Sequence, residues 1–458
     1  MSKASPAGTL QTLGSSALAG SLTAAVFYAE YISLGATLGQ VLPGSNAKAL
    51  GGVMVVGAVI VCCLFALFLP KPMLAGPRAA SLALLIAGMK LAVDQALQPE
   101  AKLSVALVAL LVIVVTAACM QLVGLNSKVQ AFIKDSHLAL RKGFMYATAT
   151  AIVVGLSAGQ LDGCLRLNPV ATSMIFLISV CSALGWTWMC ASAAGPWKVL
   201  GKLGALSMLV GVAVATAGYY MWLADTASKR LCATIGSAGF ELGYFRQLLL
   251  TPKAFQEAWS NLPWLIWPIL SLIGVFTGAV MLLESFTTLR DDKFGVEPKD
   301  WAAYIKRSAL ANVLCAPLGL SCSSISASRT TALLEVPGHG RYVVLWHAGG
   351  LLFILFVLSA WVAKVPSLAV AVALLLVAVQ MIDDGMRDDI WRSGLNSKAK
   401  TSQVRSTWLF LGILALSVAT GSALRAADLP FSGGAIGALL IGGFALYLLR
   451  VYKNNTIG

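Results

Sequence analysis

Charged residues are scarce in this chain. Asp, Glu, Lys and Arg make up 11% of the 458 residues, whereas a soluble protein carries about a quarter. Hydrophobic residues make up 58%, and the mean hydropathy is +0.82. This composition excludes an ordinary water-facing surface and predicts an integral membrane protein whose partner is the lipid bilayer.

Residues that catalyse reactions or bind metals are also few. The three histidines, His137, His339 and His347, do not cluster with the nine cysteines, and no CxxC pair is present. No Ser/His pair, aspartate dyad, HExxH motif or glycine-rich phosphate loop stands out. The sequence therefore predicts no enzyme, no metal site and no cofactor. Six cysteines in apolar runs are predicted to be small core hydrophobes: Cys62, Cys63, Cys119, Cys181, Cys190 and Cys315.

Positive charge is in excess, with a net charge of +14. No region is both basic and polar enough to lie against phosphates, so nucleic acid is not a predicted partner. With both termini inside, the cytoplasmic segments hold roughly 21 Lys and Arg against roughly 10 outside, as the positive-inside rule requires. We therefore expect a plasma membrane protein, such as one of a bacterial inner membrane, with both termini in the cytoplasm.

Hydropathy predicts an all-α polytopic membrane protein with about fourteen transmembrane segments. The predicted spans are 17–42, 49–69, 77–93, 103–125, 144–161, 168–189, 203–222, 264–286, 304–320, a run of about ten residues after 330, 342–362, 366–381, 407–426 and 432–451. A polar stretch before the eighth span contains an amphipathic segment, 248–259, which fits a short interfacial helix.

Two of the apolar runs are too short for a full span, because the ~30 Å hydrocarbon layer needs ~20 residues. The third follows Gly76-Pro77, and the tenth follows a hydroxyl-rich stretch that ends in Ser328-Arg329-Thr330. Each begins with an arginine, Arg78 or Arg329. Charges at membrane depth are rare and usually functional. Paired short segments are the sequence signature of a midplane binding site in inverted-repeat transporters.

The two short spans are each the third of a seven-span half. Seven is odd, so the halves have opposite orientations in the membrane. The first span of each half carries a glutamate, Glu30 or Glu284, which precedes the arginine of its half by 48 and 45 residues respectively. The predicted domains are a tail at 1–16, a first repeat at 17–223, an extracytoplasmic connection at 224–263, a second repeat at 264–451 and a tail at 452–458.

Each of these features has a plain explanation when taken alone. A single arginine near a span end can extend to the interface, and a glutamate can cap a helix or form a structural ion pair. Four such features in register across two halves favour a functional site. The predicted substrate-binding residues are Arg78, Ala79, Ser326, Ser328, Arg329, Thr330 and Tyr31, and the predicted ion-coupling residues are Glu30 and Glu284.

The chemistry of this set predicts an anion site. Two helix N-termini present unpaired N–H groups and positive dipole ends to a bound anion, and arginine stays charged at any working pH. A glutamate beside a bound anion can take up a proton, which predicts coupling of anion movement to H+ or another cation.

Four ordered stretches resemble the SulP family of inorganic-anion transporters. They are LAGP (74–77), GF to GQL (143–161), LES to AN (283–312) and SASRT (326–330). The resemblance implies two inverted seven-span repeats with half-helices 3 and 10, a core domain, and a gate of spans 5–7 and 12–14. Two features depart from the family: about seven residues follow the last span where most members have a STAS domain, and Arg78 is unusual at its position.

The implied function is secondary active transport of a small anion by alternating access, with sulfate, bicarbonate and carboxylates all compatible. Two alternatives share this fold: a nucleobase/cation symporter and a passive anion channel. The serine and arginine at the start of the tenth span argue against a site for an uncharged ring. The oligomeric state stays open, with a homodimer as one option.

Overall fold

A computed structural model describes residues 6–39, 41–42, 47–127, 158–192, 206–224, 232, 234, 241–289, 294–321, 323–334 and 342–381. The predicted thirteenth and fourteenth spans, most of the fifth span and the C-terminal tail 452–458 lie outside these residues. The count of fourteen spans and the inverted repeat therefore stay predictions.

The described chain is mostly helical. Its helices are α1 (Pro6–Gly39), α2 (Ala47–Phe68), α3 (Ala79–Asp94), α4 (Lys102–Val123), α5 (Ala158–Leu167), α6 (Pro169–Ala191), α7 (Ser207–Trp222), α8 (Leu242–Leu248), α9 (Pro252–Asn261), α10 (Ile266–Leu289), α11 (Trp301–Cys315), α12 (Ala327–Leu334), α13 (Val343–Phe353), α14 (Ser359–Val362) and α15 (Ser367–Met381). A π-helical turn, Ile354–Leu358, joins α13 to α14.

Five of the described helical segments are long and apolar enough to cross a membrane. They are Ala49–Phe68, Pro99–Val123, Pro169–Cys190, Ile266–Phe286 and Val343–Val362. At 1.5 Å per residue, each of these 20–25-residue segments is about 30 Å long or more, which matches the hydrocarbon layer. They correspond to the predicted second, fourth, sixth, eighth and eleventh spans. The first helix begins at Pro6, eleven residues before the predicted start of the first span, so the predicted tail 1–16 is partly helical.

A two-stranded sheet is the feature that an all-α prediction missed. Strands β1 (Ala75–Pro77) and β2 (Ser323–Ile325) pair antiparallel, with Gly76 opposite Ser324. Three-residue strands carry too little alternation to be read from a pattern. The sheet also corrects the predicted start of the third span. Pro77 ends β1, Arg78 is the extended N-cap residue (φ −123°, ψ 145°), and α3 begins at Ala79.

The approach to β2 depends on one glycine. A short 3₁₀ turn follows α11 and ends at Gly319, whose φ of +71° is in the left-handed region. A Cβ at this position would lie 2.8 Å from the Leu248 carbonyl oxygen of α8. Glycine is the residue that adopts this conformation without a steric cost. The turn therefore sends the chain from the end of α11 back into the protein interior as β2.

A disulfide joins Cys164, in α5, to Cys232. Sequence reading did not predict it, since these two cysteines are 68 residues apart. They lie in a small buried cluster with Tyr219, Leu223 and Leu368. Among the six cysteines predicted to be core hydrophobes, Cys62, Cys190 and Cys315 are buried and Cys63 is partly buried. The prediction is wrong for Cys119 and Cys181, which are exposed on the outer faces of apolar helices.

Candidate functional site

The sheet brings the N-terminus of α3 to the N-terminus of α12. Beyond the paired strands, the Ser326 N–H donates to the Leu74 carbonyl at 2.9 Å. The Leu74 N–H donates to the Thr330 hydroxyl oxygen at 3.1 Å. The Thr330 hydroxyl was predicted to bind substrate, but its oxygen accepts a backbone hydrogen bond that holds α12 against β1. The two short helices therefore begin side by side although 248 residues separate their first residues.

Ser326 connects the two helix starts. Its hydroxyl oxygen accepts from the backbone N–H of Arg329 at 3.2 Å, which caps the first turn of α12. The same oxygen accepts from Nη1 of Arg78 at 2.7 Å. The side chain is buried. The arginine at the start of α3 is thereby fixed against the first residues of α12.

Arg329 forms a bidentate ion pair with Glu30 of α1. Its Nη2 lies 2.8 Å from Oε1, and its Nε donates to Oε2 at 3.2 Å. Nη2 also donates to the Pro77 carbonyl at 2.7 Å. The Arg329 side chain is 0% exposed and Glu30 is 12% exposed. Two parallel charge-assisted hydrogen bonds in a buried setting are the strongest form of this interaction.

Aromatic rings and a glycine complete the surroundings of Arg329. Its guanidinium carbon lies 4.5 Å from the ring centroid of Tyr31 and 5.7 Å from that of Phe27, both within cation–π range. Among the described residues, Nη1 of Arg329 and the Tyr31 hydroxyl have no hydrogen-bond partner. A Cβ on Gly76 would lie 2.6 Å from that Nη1 and 2.8 Å from the Tyr31 hydroxyl. Two buried hydrogen-bond donors without described acceptors therefore lie against the backbone at Gly76, which has no side chain.

The second ion pair is looser. Nε of Arg78 lies 3.8 Å from Oε1 of Glu284, which comes from α10. The other carboxylate oxygen, Oε2, accepts a hydrogen bond from the Ser324 hydroxyl of β2. Within the described part of the chain, Oε1 accepts no hydrogen bond, although Glu284 is buried. A buried charge with an unsatisfied oxygen is costly and usually reflects a role beyond stability.

The four predicted charges thus meet, and they pair crosswise. The arginine of each predicted half contacts the glutamate of the other half, so two positive and two negative charges balance. Ala79 is the first residue of α3 and Ser328 is in the first turn of α12, but their side chains lie outside the described part of the structure.

Sequence analysis missed two residues of this site, Ser324 and Gly76. Ser324 belongs to the hydroxyl-rich stretch before α12, and only its place in an unpredicted strand aims it at Glu284. Gly76 was noted for a helix entry, not for the close approach of Arg329.

Comparison with solved structures finds the same fold in membrane transporters. The transmembrane domain of the cyanobacterium bicarbonate transporter BicA matches with a TM-score of 0.57 and 17% identity, over 94% of this chain and 97% of that chain. This chain has the fold of an anion-transporter membrane domain. SLC26A9 matches with a TM-score of 0.55 and 13% identity, over 96% of this chain and 65% of its own length.

A third match is the murine Slc26a9 anion transporter in the inward-facing state, with a TM-score of 0.51 and 14% identity. It covers 96% of this chain and 68% of that chain. Family models and curated proteins give no match. At identities this low, the structural similarity establishes the fold alone. The long apolar helices indicate an integral membrane protein.

Proposed function

We propose that this protein is a secondary active transporter that carries a small anion across the membrane. The anion binds between the N-termini of α3 and α12. The observation that carries the proposal is the β1–β2 pairing, which sets two helix N-termini and two arginines around Ser326. Backbone N–H groups and helix dipoles at such ends favour an anion. Similarity of fold to anion transporters supports the same function.

Sulfate, bicarbonate and small carboxylates are the substrate classes that this chemistry accommodates. Arginine binds planar or tetrahedral oxyanions through several N–H donors. Nη1 of Arg329 and the Tyr31 hydroxyl supply donors without partners. Bicarbonate is the first anion to test, because the BicA domain, which this chain matches over 97% of its length, is named a bicarbonate transporter.

In this proposal, the charge balance of the site couples anion movement to proton movement. Both arginines already face a glutamate, so an entering anion replaces a carboxylate as the partner of an arginine. A proton that binds the displaced glutamate keeps the buried site from gaining net negative charge, since an unpaired buried charge is strongly unfavourable. We assign this proton to Glu284, because among the described residues its Oε1 accepts no hydrogen bond, whereas both oxygens of Glu30 contact Arg329. The predicted core domain then moves past the predicted gate to expose the site on the other side.

An uptake assay with purified protein in liposomes tests the transport function. Radiolabelled bicarbonate, sulfate and a dicarboxylate are compared with a neutral nucleobase, each with and without an imposed pH gradient. We expect uptake of at least one anion against its own gradient when protons flow inward. Uptake of the nucleobase alone favours the symporter alternative, and downhill anion movement alone favours a channel.

The variants Glu284→Gln and Glu30→Gln test the coupling. We expect Glu284→Gln to transport the anion without regard to the pH gradient, because its carboxamide cannot take up the proton. Glu30→Gln should weaken folding, because it breaks the bidentate contact with Arg329. If Glu284→Gln keeps the full dependence on the pH gradient, the coupling proposal is wrong.

A further inference from the structure

A buried amide network connects β2 to helices α4 and α11. The carboxamide of Asn312, in α11, accepts from the Ser323 N–H at 2.7 Å and donates to the Ser323 carbonyl at 2.9 Å. Its remaining N–H donates to the carboxamide oxygen of Gln121 in α4 at 3.0 Å. Asn312 therefore bonds both backbone groups of one β2 residue, as a neighbouring strand would.

The network is closed and fully buried. Nε2 of Gln121 donates to the Ser308 hydroxyl at 3.2 Å, and that hydroxyl donates to the Ser323 carbonyl at 3.4 Å. All four side chains are buried. Both N–H groups of the Asn312 carboxamide donate and its oxygen accepts, so a change at this position leaves buried polar groups of Ser323 and Gln121 without these partners.

The two strands of the sheet differ in what holds them. β2 is held by Asn312 to helices α4 and α11, which form part of the scaffold. The chain at β1 is held by α2, whose Cys62 thiol donates to the Ala75 carbonyl at 3.7 Å, and by Thr330 and Arg329 of α12, which bond Leu74 and Pro77. Asn312 therefore fixes β2, and β2 leads directly into Ser326 and the start of α12.

We propose that Asn312, supported by Gln121, is the positioning residue of the anion site. It touches no charge of the site, but it fixes the strand from which Ser324 reaches Glu284 and Ser326 reaches Arg78. A displacement of about 1 Å at a binding centre can cost about 100-fold in rate. This inference rests on the proposed anion transport and assigns to Asn312 the geometry of that same site.

The test compares Asn312→Ala with Asn261→Ala in anion uptake, anion-dependent thermal stabilisation and thermal stability without anion. Asn261 is the matched control, a buried asparagine of α9 whose amide donates to the Glu257 carbonyl. We expect Asn312→Ala to raise the apparent KM for the anion by about tenfold or more. Asn261→Ala should leave the KM unchanged and alter only thermal stability.

A double variant with Ser326→Ala separates positioning from general destabilisation. If Asn312 acts through the β2–Ser326 segment, the two single effects on KM are not additive. Independent effects, or an unchanged KM in Asn312→Ala, overturn the proposal. Should Asn312→Ala fail to fold, Gln121→Ala removes the bonds to Asn312 and Ser308 but leaves both contacts of Asn312 to Ser323, and its unchanged KM overturns the proposal as well. Failure of the anion-transport proposal is distinct, because wild-type protein then shows no anion uptake.

A separate observation concerns orientation. Cys164 and Cys232 both fall in segments that the Lys/Arg count places outside the cytoplasm, and the structure joins them. The Tyr219 hydroxyl donates to the Cys232 carbonyl at 3.0 Å, so the bond lies against α7. Disulfides persist in oxidising compartments and are rare in the cytosol. We infer that this face of the protein is exposed to an oxidising, extracytoplasmic compartment.

Thiol labelling tests both the disulfide and the orientation. Denatured protein is treated with a maleimide-polymer that adds mass at each thiol, with and without prior reduction. We expect two more labels after reduction, and we expect a membrane-impermeant reductant added to intact cells to expose both thiols. Full labelling of all nine cysteines without reductant overturns the disulfide. Reduction only by a membrane-permeant reagent overturns the orientation.

Discussion

The two arginine–glutamate pairs each join the arginine of one predicted half to the glutamate of the other, but they differ in their bonding. The Arg329–Glu30 pair has two direct contacts, at 2.8 and 3.2 Å, and an added bond to a carbonyl. In the Arg78–Glu284 pair, Nε lies 3.8 Å from Oε1, and this carboxylate oxygen accepts no hydrogen bond among the described residues. Under the proposed anion transport, we expect the first pair to maintain the structure of the site and the second to exchange partners with the anion.

The largest effect is expected from Arg329→Ala. The variant leaves Glu30 as a buried carboxylate without its guanidinium and frees the Pro77 carbonyl, and breaking such a pair costs about 3–5 kcal/mol. From sequence alone, this variant is expected to lose anion binding but keep its expression; the pairing now predicts loss of both. Thermal unfolding in detergent, followed by size-exclusion chromatography, measures the change.

The double variant Arg329→Ala/Glu30→Gln serves as the control for this first effect. Removal of both charges should restore part of the thermal stability while transport stays absent, because the uncompensated buried carboxylate is gone. A double variant as unstable as Arg329→Ala contradicts the view that the pair, rather than the arginine's packing on Tyr31 and Phe27, carries the stability.

The next effect is expected from Gly76→Ala. The added methyl would lie 2.6 Å from Nη1 of Arg329 and 2.8 Å from the Tyr31 hydroxyl, closer than any real contact. Both side chains are buried and Arg329 is held by Glu30 and the Pro77 carbonyl, so we expect the methyl to displace the two donors and anion uptake to fall by at least about tenfold. Gly349→Ala in α13 is the matched control, since a Cβ there meets nothing within 4 Å. Equal uptake by both variants contradicts the close approach at Gly76.

A smaller effect on stability, and a large one on transport, is expected from Arg78→Ala. The lost contact with Glu284 is long, so its loss should lower the unfolding temperature less than Arg329→Ala does. Anion uptake should nevertheless fall, because the cation nearest the Ser326 hydroxyl is absent. Stability and uptake are measured on the same preparation. A decrease in stability equal to that of Arg329→Ala contradicts the distinction between the pairs.

These expectations show what the sequence could and could not predict. Hydropathy found the described spanning helices, and charges in apolar runs found Arg78, Arg329, Glu30 and Glu284. Sequence spacing does not say which carboxylate a guanidinium contacts, because that depends on where chain segments 206 and 299 residues apart come together.

The paired strands are the reason that the rest of the site was missed. A strand of three residues gives no periodic signal, so the role of Ser324, the anchoring of β2 by Asn312 and the close approach at Gly76 followed only from the structure. The disulfide was missed on similar grounds, since cysteine counting alone does not assign partners.

The smallest effect is expected at an exposed ion pair, which tests whether burial rather than distance separates strong pairs from weak ones. Lys299 Nζ lies 2.5 Å from Oε2 of Glu297, closer than the contacts of either buried ion pair, but the side chains are 74% and 64% exposed.

The hydrogen bond from Lys299 lowers the pKa of Glu297. A carboxyl whose pKa is lower in the folded protein stabilises it at neutral pH, and this contribution disappears as the pH falls through the folded pKa. Because water screens the pair, we expect Lys299→Gln to leave the unfolding temperature unchanged at pH 7 and in acid. A decrease comparable to that of Glu30→Gln would show that short distance alone gives strength, and the contrast between the two buried pairs would then need another cause.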